Sequence, residues 1–241
     1  VVTVVLDRTD TRNAQTPATW RALAAVGAAL PGPTRAVVLR SEGPVFSSGI
    51  DLRAFSPEGV DGERVLARIA ELDDEGAAEL IAGFQAGFSW LHDVDVPTVA
   101  VVQGAAVGAG FQLALACDLR VCSTNARFAM RETSLGLVPD LTGTHPLVRT
   151  VGYSRALELC VTGRWVDAAE ALDLGLATTV VDPDELEVAL DDLVATVLAA
   201  PSAAVSATKQ VLRHAVSADS AAQRAVERRT QVGLIRGLMS G

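Results

Sequence analysis

Lysine is all but missing from this sequence: Lys209 stands alone, and the remaining positive charge is arginine. With a formal net charge of -9, the chain lacks the clustered cations that phosphate backbones require, which excludes a general nucleic-acid binder. Histidine is also scarce, and His92, His145 and His214 are scattered singly, so no zinc motif is present. The three cysteines, Cys117, Cys122 and Cys160, are an odd number without metal-ligand spacing, and their apolar neighbours suit reduced packing residues. No apolar run approaches the roughly 20 residues that cross a bilayer. The opening VVTVVLDR is too short and too soon charged for a secretory signal. The expectation is a cytoplasmic protein without a membrane or nucleic-acid partner, and with no metal or redox cofactor.

What the sequence does hold is apolar material, 49% of 241 residues, enough to bury one continuous core. Residues 1–6 read as a strand. Thr16 and Pro17 then open a helix to about residue 30, Thr16 as its N-cap and Pro17 in its first turn. A second strand follows at 36–40, and the loop 41–51, rich in Gly, Pro and Ser, leaves its C-terminal end, where open α/β folds keep their sites. Residues 63–92 carry helical spacing with a break near Asp73 and Asp74. A third strand at 97–103 is fully apolar, 104–110 is a turn, 109–117 a helix and 119–122 a strand. After about Thr142 the pattern predicts helices alone. The expected fold is therefore α/β, with a core over 1–141 and a helical part over 142–241. The Ala- and Leu-rich last helices suggest apolar faces that one subunit leaves uncovered, hence self-association.

Two loops are candidates for chemistry, Phe46-Ser47-Ser48-Gly49-Ile50-Asp51 and Gly104-Ala105-Ala106-Val107-Gly108-Ala109-Gly110. Both present small residues beside backbone amides, and the second runs into a helix N-terminus, where free N–H groups favour a negative oxygen. Placed together they would suit an oxyanion. The plainer alternative is that Gly49, Gly104, Gly108 and Gly110 serve tight turns and close packing. No Gly-Lys-Ser/Thr follows, the glycine spacing is not the dinucleotide fingerprint, and Ser47 and Ser48 are not framed as in a serine hydrolase.

At this length of pattern a family resemblance becomes specific. VVLRSEGPVFSSGIDL resembles the first oxyanion segment of the enoyl-CoA hydratase/isomerase (crotonase) family. VPTVAVVQGAAVGAGFQLALACDLRVCSTNARFAMRETSLGLVPDLTGTHPLVRTVGYSRALEL is similar to its second oxyanion and catalytic segments, and LDRTDTRNA to its N-terminal stretch. The resemblance implies a crotonase-like spiral of ββα units, a C-terminal region that assembles a homotrimer or a dimer of trimers, and a bound acyl-CoA thioester, with coenzyme A part of the substrate. It implies that the thioester oxygen takes hydrogen bonds from the amides of Ile50 and Ala109, with Ser48, Gly49, Asp51 and Gly108 around it. It also implies cations for the nucleotide, for which Arg8, Arg12 and Arg53 lie near the right loops and Lys209 in the helical tail. The resemblance further implies a terminal stretch beyond the last helix that helps close the site, which would follow Gly241.

One departure matters more than the rest. The family's hydratases place two glutamates over the thioester, and those positions fall here on Gln112 and Glu132. A carboxamide neither accepts nor releases a proton near neutral pH, so Gln112 is expected at the substrate as a residue that holds a water or orients Glu132, not as an acid or base. Glu132 is thus the one expected acid/base, against the alternative of a surface residue paired with Arg131. Nearby Phe46, Phe111 or Phe128 would raise its pKa by desolvation. Asp140 is either a second proton carrier or the cap of the following turn. The resemblance implies an enoyl-CoA isomerase with one glutamate, or else a slow hydratase or a non-catalytic acyl-CoA binder. The segment 53–83 is expected to line the acyl tunnel.

Overall fold

The computed structural model describes residues 1–240. Five parallel strands form the main sheet in the order β1-β2-β3-β5-β8: β1 Val2–Leu6, β2 Val37–Ser41, β3 Thr98–Val102, β5 Leu119–Ser123 and β8 Thr179–Val181. A smaller sheet runs β4-β6-β7, from Ala105–Val107, Arg127–Ala129 and Val166–Asp167, with β6 and β7 antiparallel. The long strands follow the pleat. Leu39, Ala100 and Val102 point into the larger core, whereas Val38, Val99 and Val101 point to the other face, under Leu186 and Leu190 of helix α8 (Leu186–Ala199). Both faces of a parallel sheet are covered, which is why its strands read as unbroken apolar runs.

Helix α1, Pro17–Ala28, starts as its sequence requires: the Thr16 hydroxyl accepts from the Thr19 amide, and Pro17 sits in the first turn. It packs on α3, Asp74–Asp93, at very close range. A side chain at Gly87 would strike the Trp20 carbonyl at 2.4 Å, and one at Gly27 would strike the Trp90 ring at 2.5 Å. The break expected near Asp73 is real, separating α2 (Val65–Glu71) from α3, and the Asp73 side chain caps α3 through the Gly76 amide.

Beyond β2, β3 and β5 the chain makes the same move three times. Each of these three strands turns sharply towards the small sheet: Ser47 makes a single bridge to Ala106, β3 leads to β4, and β5 to β6. Helical segments follow, α2 and α3, then α4 (Ala109–Ala116), then a short 3-10 turn at Glu132–Leu135. This winding of ββα units brings the starts of successive helical segments to one place. The turn at Gly104 needs glycine, since its φ is +59° and a Cβ would lie 2.1 Å from the Pro44 carbonyl.

The C-terminal part is mainly helical, with α5 Thr144–Val151, α6 Tyr153–Thr162, α7 Ala168–Asp173, α8, α9 Ser202–Ala215 and α10 Ser220–Ser240. The expectation of helices alone after Thr142 is corrected by β7 and β8, of two and three residues, the second of which is an edge of the main sheet. Segments that short show no period, and pairing alone defines them. Helix α10 packs along α9, buries no side chain, and leaves Val232, Ile235, Leu238 and Met239 exposed. No single helix among the described residues is long and apolar enough to cross a membrane.

Lys209 belongs to the fold. Its buried ammonium on α9 meets Asp118 Oδ2 at 2.7 Å and the Val96 carbonyl at 3.0 Å, while Asp118 also accepts from the Thr98 amide at 2.8 Å. The expectation that Lys209 serves a nucleotide is thereby corrected, because its charge is spent inside. Cys117 and Cys122 are packing residues, as expected, and burial pushes both thiols up to about 12.

Candidate active site

The loop after β2 is held from three sides. Phe46 N–H donates to the Gln103 carbonyl and Ser47 N–H to that of Ala105, and the Ser47 hydroxyl donates to the Asn13 carbonyl at 2.7 Å. The amides beside Ile50 are spent: Gly49 N–H donates to Ser47 Oγ, and Asp51 N–H to the Gln15 carbonyl at 2.8 Å. Ile50 N–H, between them, meets no acceptor among the described residues.

The second loop repeats the arrangement. Gly108 N–H donates to the Ala129 carbonyl at 2.8 Å, and Ala109 is the first residue of α4, so its own amide has no intrahelical acceptor and finds none elsewhere among the described residues. The two loops touch through glycine. Gly49 has φ +91°, and a Cβ on it would lie 2.6 Å from the Val107 carbonyl and 3.8 Å from the Ala109 nitrogen. Two free amides thus come together from residues 59 positions apart (109 − 50).

They open on a cavity of about 530 Å3. Its wall is apolar, built by Val65, Leu66 and Ile69 of α2, Ile81 and Phe84 of α3, Trp20 of α1, and Leu137, Val138 and Leu141 of the segment before α5. The expectation that segment 53–83 contributes a wall holds. Trp20 and Phe84 are buried wall residues that helical period does not distinguish from core, because it marks a buried face without saying whether a helix or an empty space lies against it. Ser48, Gly49, Ile50, Gly108, Ala109, Gln112, Arg131, Glu132 and Asp140 also border the cavity.

Glu132 opens the 3-10 turn after β6 and is 9% exposed. The only hydrogen-bond partner of its side chain among the described residues is Gln112, whose Nε2 donates to Oε1 at 2.6 Å; Oε2 is buried and has none. The alternative of an ion pair with Arg131 is not realised, since that guanidinium lies 5.4 Å from the Trp165 ring centre and makes no salt bridge with Glu132. Burial pushes the Glu132 carboxyl above the usual range; the nearby backbone amide of Glu132 itself, the Gln112 hydrogen bond and, more weakly, the Arg131 amide oppose this, and the charge of Asp140 adds to it. Phe46, Phe111 and Phe128, expected to supply that desolvation, lie in the core behind the site and do not border the cavity. Gly108 is necessary beneath the carboxylate: its φ is +50°, and a Cβ would sit 3.2 Å from Oε1.

Asp140 has no side-chain hydrogen bond, and α5 begins at Thr144 behind Gly143 without a side-chain cap, so the capping alternative is not realised. Although the residue is exposed as a whole, its carboxyl borders the apolar wall and loss of water pushes its pKa up. Asp51 and Arg8 do not border the cavity. They form a cluster behind the loop in which Arg53 grips Asp51 at 2.9 and 2.6 Å and Arg8 stands 3.6 Å away. The Arg53 hydrogen bond holds the Asp51 carboxyl below the usual range. Arg12 is exposed on the neighbouring turn, and its carbonyl accepts from Ser48 N–H. Gln15, missed in the sequence, is fully buried and ties Ser47 to Trp20 through its side chain.

The sequence model described as enoyl-CoA hydratase/isomerase matches residues 1–237. The fold overlays a proposed enoyl-CoA hydratase from Thermobifida fusca YX solved in complex with acetoacetyl-CoA, with TM-score 0.92 and 48% identity over 98% of this chain and 91% of that one. Among curated relatives, an enoyl-CoA hydratase assigned in Rhodobacter capsulatus is 32% identical over 95% of this chain and 83% of its own length. A mitochondrial Delta(3,5)-Delta(2,4)-dienoyl-CoA isomerase of Dictyostelium discoideum is 32% identical over 75% and 61%. Two further curated relatives are matched over only 58% and 42% of their own lengths.

Proposed function

This chain belongs to the enoyl-CoA hydratase/isomerase family, and within it we propose an isomerase that moves the double bond of an enoyl-CoA using Glu132 as its single proton carrier. The observation that carries the reading is the pairing of one buried carboxylate oxygen without a partner, Glu132 Oε2, with a carboxamide at Gln112 where a second acid/base would be needed. The thioester carbonyl would sit between the free amides of Ile50 and Ala109. Oε2 removes a proton from C2, the electron pair passes into the carbonyl, and the oxyanion is held by the two N–H groups. The same oxygen then returns the proton at C4 as the carbonyl re-forms, leaving C2=C3 in place of C3=C4. Nothing is gained or lost, so one carboxylate suffices. Its raised pKa suits it, because a group that must both take and give a proton works best when its pKa lies nearer the working pH.

The acyl chain would run along Val65, Leu66, Ile69 and Phe84, and the nucleotide outside, near exposed Arg12. The exposed apolar side chains of α10 support self-association, as a homotrimer or a dimer of trimers. A second reading, hydration, is favoured by the hydratase names of the relatives and by Asp140, which offers another raised carboxyl at the cavity. Mixing the protein separately with a 3-enoyl-CoA and a 2-enoyl-CoA, and following the absorbance of the conjugated thioester, separates the two. A rise with the first supports isomerisation. A fall with the second and no rise with the first sinks it in favour of hydration.

A further inference from the structure

Thr142 is a β-branched residue at φ +68°, a left-handed conformation that such side chains rarely adopt. Strain of this kind persists only where the surroundings enforce it. The amides on either side of Thr142 are turned to one point: Leu141 N–H and Gly143 N–H donate to Gln112 Oε1 at 2.8 and 3.2 Å. Gly143 lets α4 come that near, since a Cβ on it would be 2.5 Å from Gln112 Cγ. Converging backbone amides form a concave seat for an oxygen. The seat settles which way the carboxamide points, because with its oxygen held by two donors its NH2 group faces Glu132.

We propose that Gln112 is a positioning residue for Glu132: seated by its oxygen on the amides around Thr142, it donates to Oε1 and confines proton exchange to Oε2. The proposal rests on the reading of Glu132 as the proton carrier. Because the amide cannot rotate its donor away, Oε1 stays hydrogen-bonded and less basic, and Oε2 is the favoured seat for a proton taken from substrate. The same seat ties the segment bearing Asp140 to α4, and with it the carboxyl that faces Glu132 from that side. The other groups around Glu132 are Cys160 of α6, whose thiol is raised by burial and by the charge of Glu132, and Arg131, turned towards Trp165.

The test is Gln112→Met, which keeps length and apolar volume but cannot donate, beside Gln112→Glu. In Gln112→Met the kcat falls about ten- to hundredfold, the worth of one hydrogen bond to a charged group, while KM changes by less than about threefold. The acid limb of the kcat profile moves to higher pH, because the ionised carboxylate has lost a donor. In Gln112→Glu the introduced carboxyl keeps one oxygen on the amides and donates its proton from the other. Turnover returns at low pH, and a new alkaline fall follows loss of the shared proton. Carbon-13 labelling of the glutamate carboxyls reads the Glu132 titration directly, without any substrate. Wild-type kcat and an unmoved titration in Gln112→Met would overturn the proposal. If the wild-type protein turns over neither enoyl-CoA yet the labelled carboxyl still titrates higher in Gln112→Met, the positioning stands and the isomerase reading fails.

Discussion

Replacing Glu132 by Gln should make the protein both inactive and more stable, and the second effect is the sharper test of the site. The substitution preserves shape and leaves a carbonyl oxygen to accept from Gln112 Nε2, which now stands 2.6 Å from Oε1. It removes the proton carrier of the proposed isomerisation, so turnover should fall by about 10²- to 10⁴-fold, the usual contribution of general acid–base catalysis. The stability effect follows from burial, which raises the Glu132 carboxyl above its ordinary 4.5. Below that value the side chain is protonated in both the folded and unfolded chain. As pH rises through the folded value, the fold must hold a buried charge, and each pH unit between the two pKa values costs the parent about 1.4 kcal/mol. The variant has no such loss. Urea unfolding at pH 4 and pH 8 should therefore show nearly equal midpoints at the lower pH and a higher midpoint for the variant at the upper. In a chain of this size each kcal/mol gained reads as about 2–4 °C in Tm. A variant that is less stable at pH 8, or that still turns over, would refute the account of Glu132 as a desolvated carboxylate with one unpartnered oxygen.

Two other changes probe independent parts of the structure. Ala109→Pro deletes the amide at the first position of α4, where proline is tolerated, and should lower kcat by about 10²- to 10³-fold with acyl-CoA affinity, measured by calorimetry, little altered. Lys209→Met strands Asp118 beneath α9 and should cost about 3 kcal/mol, read as a lower urea midpoint at unchanged m-value, with the catalytic pH profile left where it was.

Much of this molecule was present in local sequence, because local sequence carries local physics. Thr16 and Pro17 start a helix by capping whatever lies around them, the pleat of β2 and β3 writes itself as apolar runs, and the break at Asp73 marks itself with a cap. The order and spacing of the two glycine loops, and the exchange of a glutamate for Gln112, were likewise open to reading. Tertiary structure decided the rest wherever a residue's role depends on a distant partner. Strands β4, β6, β7 and β8 are two or three residues long and exist only through their neighbours. Trp20 and Phe84 lie on buried helix faces, and only the fold shows that a cavity rather than packed core lies against them. Lys209 stood by sequence among the candidate cations for a nucleotide and is bound by Asp118, 91 positions away. The direction in which the Gln112 amide points was set by the amides flanking a strained Thr142, a contact of some 30 positions that no pattern of side chains encodes. Local propensity is a property of neighbours in the chain, whereas charge state, orientation and empty space are properties of neighbours in the fold.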